Sequence, residues 1–394
     1  MIHWIRIQNF KSLRDVAVEL SPVTVLIGKS GTGKSNFVSA IRFLRDYLRQ
    51  GRVPEYIQDW RTWKCATNPQ EPTEFSLEFD IPRISGTFRY TLQLAPDWTV
   101  PPLLEELVFE GKTVFCQMRP VESVMMLEGG KNKPASWKSA EWQTPPPLVS
   151  PPKAGGVALG RLPGVEYAVL AHTVLTVGMG VYNFPYDVLR KSEDGASRFG
   201  LADKGENYLE VLRQFLTDLE AIETRKAMVA TLQCLNPTLV SIQPDSIQQP
   251  KNVIVGHRWG EKILPLDLAQ ESDGFRRFFA HLLALYQRPP KQILVFEEPE
   301  NGIYPAALEV LAREFQAAPG AGRGQVLLTT HSPVLLDYFS DEQIRVVELV
   351  DLETRIGPLA NDQREALREQ LMHPGELFTV DTPRMAAGQM ETAG

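Results

Sequence analysis

Apolar and polar residues alternate over Ile2 to Gln8, Asp15 to Leu20 sets Val16, Val18 and Leu20 at every second position, and an apolar run follows from Val23 to Ile27. Alternation sends successive side chains to opposite faces, and these stretches predict three short strands. Asn9 to Leu13 and Ser21-Pro22 supply the turns. Past residue 33 the period changes. Phe37, Ile41, Leu44 and Leu48 fall at i, i+4, i+7 and i+11, one face of a helix, while Arg42, Arg45, Arg49 and Arg52 mark another. Between Glu74 and Leu94 the alternation returns, with Phe75, Leu77, Phe79 and then Phe88, Tyr90, Leu92, as in an antiparallel pair.

From residue 119 to 160 the pattern dissolves into Pro, Gly, Ser and Lys, including Pro145-Pro146-Pro147 and Pro151-Pro152, the composition of an exposed insertion or hinge. Helical spacing resumes over Gly205 to Cys234, where Leu209, Leu212, Phe215 and Leu219 share a face. Past Pro250, Glu271-Ser272-Asp273-Gly274 opens a helix whose apolar face is Phe275, Phe278, Phe279, Leu282 and Leu283. Two later apolar runs, Gln292 to Phe296 and Gln325 to Leu328, are too short for most helices and predict buried parallel strands, with a helix from Pro305 to Phe315 between them.

With 394 residues and 43% apolar content, the chain can bury a sizeable core. Its net charge of −7 removes any argument that the whole surface attracts nucleic acid, so a polyanion partner needs a local basic patch. The arginine stripe after Phe37 is such a candidate, although a solvated helix face carries arginines too. Cys65, Cys116 and Cys234 are widely spaced and form no C-x-x-C pair, which favours a reducing compartment over a zinc site. The alternating N-terminus is a strand rather than a signal peptide, so a cytoplasmic location is expected. Ala168 to Tyr186 approaches membrane-spanning length, but its His172, Thr173, Thr176, Gly178, Gly180, Asn183 and Pro185 argue against a span.

The chemistry concentrates where strand gives way to helix. Gly28-Lys29-Ser30-Gly31-Thr32-Gly33-Lys34-Ser35 fits the phosphate-binding pattern G-x-x-x-x-G-K-[ST] in the context that pattern requires. Glycines let backbone N–H groups turn onto phosphate oxygens, the helix dipole reinforces them, Lys34 adds charge, and Ser35 offers a hydroxyl to Mg²⁺. Glu297 and Glu298 close one buried strand and face opposite sides, so they can divide the work beside a nucleotide. Glu297 turns toward Mg²⁺ and Glu298 toward an attacking water. His331 follows the next strand in Thr329-Thr330-His331-Ser332-Pro333, placed to donate to a γ-phosphate oxygen or hold that water. Ser332-Pro333 also reads as a helix start, and Ser272 or Asp273 as a helix cap.

The order of P-loop, Ser272-Asp273-Gly274, Ile293 to Glu300, then Thr330-His331-Ser332-Pro333 resembles the ABC-type ATPases of the RecF, SMC and OLD branch. Asn9-Phe10-Lys11-Ser12 looks like that branch's opening, and the helical lobe and the Gly375-Glu376-Leu377 tail are similar to its short stand-alone members, which lack a nuclease domain. The resemblance implies that Gly28 to Asn36 bind ATP, with Lys34 and Ser35 as the Walker A pair. It implies that Glu297 is the Walker B acid, Glu298 the catalytic base and His331 the switch histidine. Ser272, Asp273 and Gly274 stand in for the signature motif, which in this family touches the γ-phosphate held by a second subunit. Glu297 replaces a more usual aspartate, Glu271 occupies a position often apolar, and Tyr304 stands where many short relatives have histidine; the family's glutamine loop has no evident counterpart.

The expected fold is α/β, a P-loop, ABC-ATPase-like sandwich with an antiparallel extension and an inserted helical lobe. Residues 1–117 and 290–350 make the nucleotide-binding lobe, 118–160 the insertion, 161–289 the helical lobe and 351–394 a tail. The expected activity is Mg²⁺-dependent ATP hydrolysis that releases an ATP-bound head-to-tail dimer, with DNA or a separately encoded effector or nuclease as further partners in genome maintenance or phage defence. The rivals are an ATP-binding dimerisation module without turnover, a small-molecule kinase, and a RecF-like DNA-binding repair protein using the α-helical arginines with Arg276 and Arg277.

Overall fold

A computed structural model describes residues 1–118, 124–125, 157, 159–162, 165–190, 200–246 and 252–386. The Pro/Gly-rich insertion, apart from a few residues, lies outside the described residues. In chain order the elements are β1 (Ile2–Phe10), β2 (Leu13–Glu19), β3 (Val23–Ile27), α1 (Lys34–Gln50), β4 (Thr73–Asp80), β5 (Thr87–Leu94), β6 (Leu104–Phe109), β7 (Lys112–Met118), β8 (Val124–Met125), α2 (Glu166–Leu175), β9 (Met179–Tyr182), α3 (Tyr186–Arg190), α4 (Tyr208–Thr217) and α5 (Ile222–Leu235). There follow β10 (Leu239–Pro244), β11 (Val253–Trp259), β12 (Lys262–Asp267), α6 (Asp273–Tyr286), β13 (Ile293–Glu297), α7 (Pro305–Ala317), β14 (Gln325–Thr329), α8 (Pro333–Leu336), β15 (Ile344–Val350), β16 (Glu353–Pro358), α9 (Asn361–Arg368) and α10 (Pro374–Val380).

Two sheets enclose α1. The outer one is antiparallel throughout, ordered β2-β1-β4-β5-β6-β7-β8. Its β4/β5 pairing sets Phe75 opposite Leu92, Leu77 opposite Tyr90 and Phe79 opposite Phe88, all fully buried, so the alternation seen in the sequence is the inward face. The central sheet is ordered β16-β15-β3-β14-β13-β9 and is parallel except where β16 runs antiparallel to β15. Its inner strands β3, β13 and β14 are buried almost throughout because both faces of the sheet are covered there. Leu26, Ile293, Val295 and Leu327 join α1 and the outer sheet in one core, whereas Val25, Leu294, Phe296, Val326 and Leu328 join α4 to α8 in the other. The α/β sandwich with its antiparallel extension is therefore the fold the sequence predicts.

Phe37, Ile41, Leu44 and Leu48 are all at most 2% exposed, so the predicted face of α1 is indeed the buried one. Each such burial contributes roughly 1.5–3 kcal/mol. The arginine stripe is different in kind. Arg45 is buried and forks onto Asp203 at 2.7 Å through both terminal nitrogens while its Nε reaches Asp46 at 2.8 Å; Arg42 also meets Asp203, at 3.2 Å. Arg52 pairs with Glu55. Half the stripe thus ties α1 to the segment beyond α3.

Three other expectations meet a different outcome. Gly205 to Cys234 is two helices, because Asp218 accepts from the Glu220 amide and starts a new turn, leaving Leu219 81% exposed and off the shared face. Residues 161–289, read as a helical lobe, also contain the antiparallel sheet β10-β11-β12 and β9, which joins the central sheet. Residues 351–394, read as a tail, begin with β16 at the edge of that sheet. Among the described residues no helix is long and apolar enough to cross a membrane, and the uncharged stretch from Ala168 divides between α2 and β9.

Candidate nucleotide site

The strand that precedes the phosphate loop is central in its sheet, and the loop leaves its carboxyl end to start α1, the place where ligands collect in parallel sheets. Lys34 folds back across the loop, donating to the Gly28 carbonyl at 2.8 Å and the Lys29 carbonyl at 2.9 Å. Burial lowers its ammonium to about 8, with Glu298 and Glu300 opposing the fall. A buried cation resting on neutral carbonyls fits an anion, since phosphate oxygens would supply the missing counter-charge. Gly28 and Gly33 are fixed by space as well as by turn geometry. A Cβ on Gly28 would stand 2.2 Å from the Val347 carbonyl oxygen, and one on Gly33, whose φ is +106°, would stand 1.9 Å from Thr354 Oγ1. Ser35 is exposed in the first turn of α1, and Asn36 donates to Ser12 Oγ at 2.7 Å.

β13 and β14 run parallel in register, Glu297 beside Thr329, so their carboxyl ends present Glu298 and His331 side by side. Glu298 Oε1 lies 3.3 Å from His331 Nε2, and both side chains keep about a third of their surface open. Glu298 has φ +47°, a left-handed conformation uncommon outside glycine, held by its own N–H donating to the Thr329 carbonyl and hydroxyl at 3.1 Å each. Backbone strain of this kind gathers at functional positions. Asn301 Nδ2 donates to Glu298 Oε2 at 2.8 Å, and Glu300 Oε1 accepts from Thr330 Oγ1 and the His331 N–H, both at 2.8 Å. Glu297 turns the other way. Its Oε2 accepts from Asn183 Nδ2 at 3.3 Å and stands 4.0 Å from an Arg42 nitrogen. Among the described residues no group of three or more His, Cys, Asp or Glu is placed to hold a metal ion.

Lys34, Glu297, Glu298 and His331 are thus gathered at the carboxyl ends of β3, β13 and β14. Ser272, Asp273 and Gly274 begin α6, and a Cβ on Gly274 would meet the Gly302 carbonyl oxygen at 2.9 Å, so this helix starts against the loop that follows Glu298. Ser272 is exposed and its Oγ accepts from the Phe275 N–H at 3.2 Å, so it caps the helix and still faces solvent. Glu271, an unusual residue at its position, pairs with His257 of β11 at 2.6 Å, which ties the small sheet to this helix start. Sequence reasoning assigned no role to Asn183, Glu300 or Asn301. Glu300 and Asn301 were visible only as the turn after Glu298, and Asn183 only as a polar break in an uncharged stretch.

A loop of this form on a central parallel strand, with acids and a histidine at the neighbouring strand ends, is the architecture of a P-loop NTPase fold. The family model described as AAA domain, putative AbiEii toxin, Type IV TA system matches residues 186–337, and the AAA ATPase domain model matches residues 1–79. An OLD nuclease of Thermus scotoductus (strain ATCC 700910 / SA-01) is 30% identical over 95 residues, 23% of this chain and 17% of that protein. An SMC head bound to the C-terminal winged-helix domain of ScpA superposes with TM-score 0.55 at 13% identity, covering 92% of this chain and 99% of the other. The Smc head of Pyrococcus furiosus, with an extended coiled coil and bound to the C-terminal domain of ScpA, gives 0.56 at 12% identity, covering 94% and 99%. At such identities the superpositions speak to the fold. The sequence matches, with this fold, make the chain similar to the ABC-type AAA ATPases of the RecF/SMC/OLD branch.

Proposed function

We propose that this chain binds ATP with Mg²⁺ at Gly28 to Asn36 and hydrolyses it, as a switch whose ATP-bound form is a head-to-tail dimer. The observation that carries the reading is the 3.3 Å approach of Glu298 and His331 at adjacent strand ends, with Glu298 within electrostatic reach of Lys34. In this account the loop amides and Lys34 hold the phosphates, and the Ser35 hydroxyl and Glu297 hold the metal, Glu297 being aimed by Asn183. When bound, Mg²⁺ neutralises charge on the transferring phosphoryl group. Glu298, fixed by Asn301, takes the proton of the attacking water, and His331 donates to the developing negative charge. Ser272, exposed at the start of α6, completes the site of a second copy.

The output is control of DNA or of a separately encoded effector or nuclease, in the cytoplasm, in genome maintenance or phage defence. Support comes from the OLD nuclease relative and the AbiEii-type family description. Direct DNA tracking along α1 has less support, because Arg42 and Arg45 are engaged by Asp203. Phosphate release by the wild type and by Glu298→Gln tests the proposal. The variant is expected to bind ATP normally and to hydrolyse it about 10²–10³-fold more slowly, as loss of a general base costs. A wild type without turnover, equal to the variant, would leave only an ATP-binding dimerisation module.

A further inference from the structure

The back of the phosphate loop rests on a strand whose sequence carries no motif. Thr354 of β16, 2% exposed, donates from Oγ1 to the Thr32 carbonyl at 2.9 Å. The same oxygen lies 2.6 Å from Ser12 Oγ, which in turn accepts from Asn36 Nδ2 at 2.7 Å. With the Thr354 proton committed to Thr32, the Ser12 hydroxyl donates to Thr354, so amide, hydroxyl, hydroxyl and carbonyl form one directed chain. It is anchored on both sides. The Thr354 N–H donates to the Ser12 carbonyl at 2.7 Å, and Arg14 pairs with Glu353 at 2.9 Å, which fixes β16 to the β1–β2 turn.

We infer that Thr354 is a positioning residue for nucleotide binding, an inference that rests on the ATP reading of this loop. In a trans peptide the carbonyl and the following N–H point in opposite directions. Drawing the Thr32 carbonyl onto Thr354 therefore turns the Gly33 N–H away from β16 and toward the ligand side, before any phosphate arrives. The strand edge thereby prepays part of the ordering that binding requires. The close approach that bars a side chain from Gly33 is the same contact seen from the other residue.

The test compares wild type, Thr354→Val, Thr354→Ser and Ser12→Ala by equilibrium titration with a fluorescent ATP analogue and Mg²⁺, by steady-state hydrolysis, and by thermal melting. Thr354→Val, which leaves two half-buried polar partners unmatched, is expected to raise both Kd and KM about tenfold while kcat at saturating ATP changes less than about twofold. Thr354→Ser should restore wild-type affinity. Ser12→Ala, which keeps the bond to Thr32 but loosens its donor, should raise Kd about threefold and serves if Thr354→Val does not fold. A wild type that binds the analogue while Thr354→Val, or Ser12→Ala in its place, binds equally well overturns this inference alone. Failure of Thr354→Ser to restore binding overturns it too, and a wild type that binds no ATP overturns it together with the ATP reading.

Discussion

At the scale of single residues, Lys34 makes a pH-dependent claim. Its ammonium titrates near 8 instead of 10.5 because the loop buries it, and Glu298 and Glu300 recover only part of the cost. In the free protein the folded state gives up this proton more readily than the unfolded chain does. Stability therefore rises with pH between about 8 and 10.5 as the uncompensated charge disappears. ATP needs the charged form, so the ligand responds in the opposite sense. Affinity should be level below about pH 7 and fall roughly tenfold between pH 7 and pH 9. Titration of a nucleotide analogue across that range checks this, with Lys34→Ala expected to show weak, pH-independent binding. An undiminished wild-type affinity at pH 9 would mean that Lys34 does not hold the phosphates. The loop itself is legible from spacing because its pattern is local, eight consecutive residues between β3 and the first turn of α1. Thr354 was not legible, since its contact with Thr32 spans 322 positions and a lone threonine in a strand carries no signal.

At the scale of elements, α1 shows what periodicity reveals and what it conceals. Its apolar face follows from spacing, because burial in a two-sheet sandwich selects the same side at every turn. Its arginine face reads as a solvated or phosphate-tracking stripe, yet the partner of Arg45 lies 158 residues away and only the fold brings it near. Asp203 has a second task here, since its carbonyl accepts the Asn183 N–H at 2.9 Å and so helps place the side chain that meets Glu297. Asp203→Ala keeps that carbonyl but removes the carboxylate that Arg45 forks onto, and should cost about 2 kcal/mol in denaturant unfolding, less than the full penalty for a buried pair because Asp203 keeps 27% of its side-chain surface exposed. Arg45 would still hold the buried Asp46 carboxylate at 2.8 Å, so replacing Asp46 by Asn and Arg45 by Met in the same chain should recover most of that loss, because the buried charges then go together. Equal destabilisation in the single and triple variants would show that packing, not the ion pair, was removed. The same distance argument explains β9 and the β10–β12 sheet. Short strands whose hydrogen bonds go to remote or irregular partners leave little periodic trace, whereas β13 and β14, apolar on both faces, leave a strong one.

At the scale of the whole molecule, the arrangement in the proposed dimer has a consequence that a self-contained site does not share. If each ATP lies between the Lys34 and Glu298 of one copy and the Ser272 of the other, then Lys34→Ala and Ser272→Arg disable opposite halves of every site. Ser272 is exposed, so a bulky cation there is compatible with the fold while obstructing a partner's phosphates. Each variant alone should be inactive. Mixed in equal amounts under conditions that allow exchange, half of the dimers are mixed, and each of these holds one wholly intact site beside one doubly disabled one. The mixture should regain about a quarter of wild-type hydrolysis per protomer, provided one site can turn over by itself. A site completed within one chain predicts something else, because Ser272→Arg would then keep its activity unaided and Lys34→Ala would only dilute it. Measured phosphate release from the two variants, separately and together, distinguishes the two, and retention of full activity by Ser272→Arg alone would remove the second copy from the mechanism.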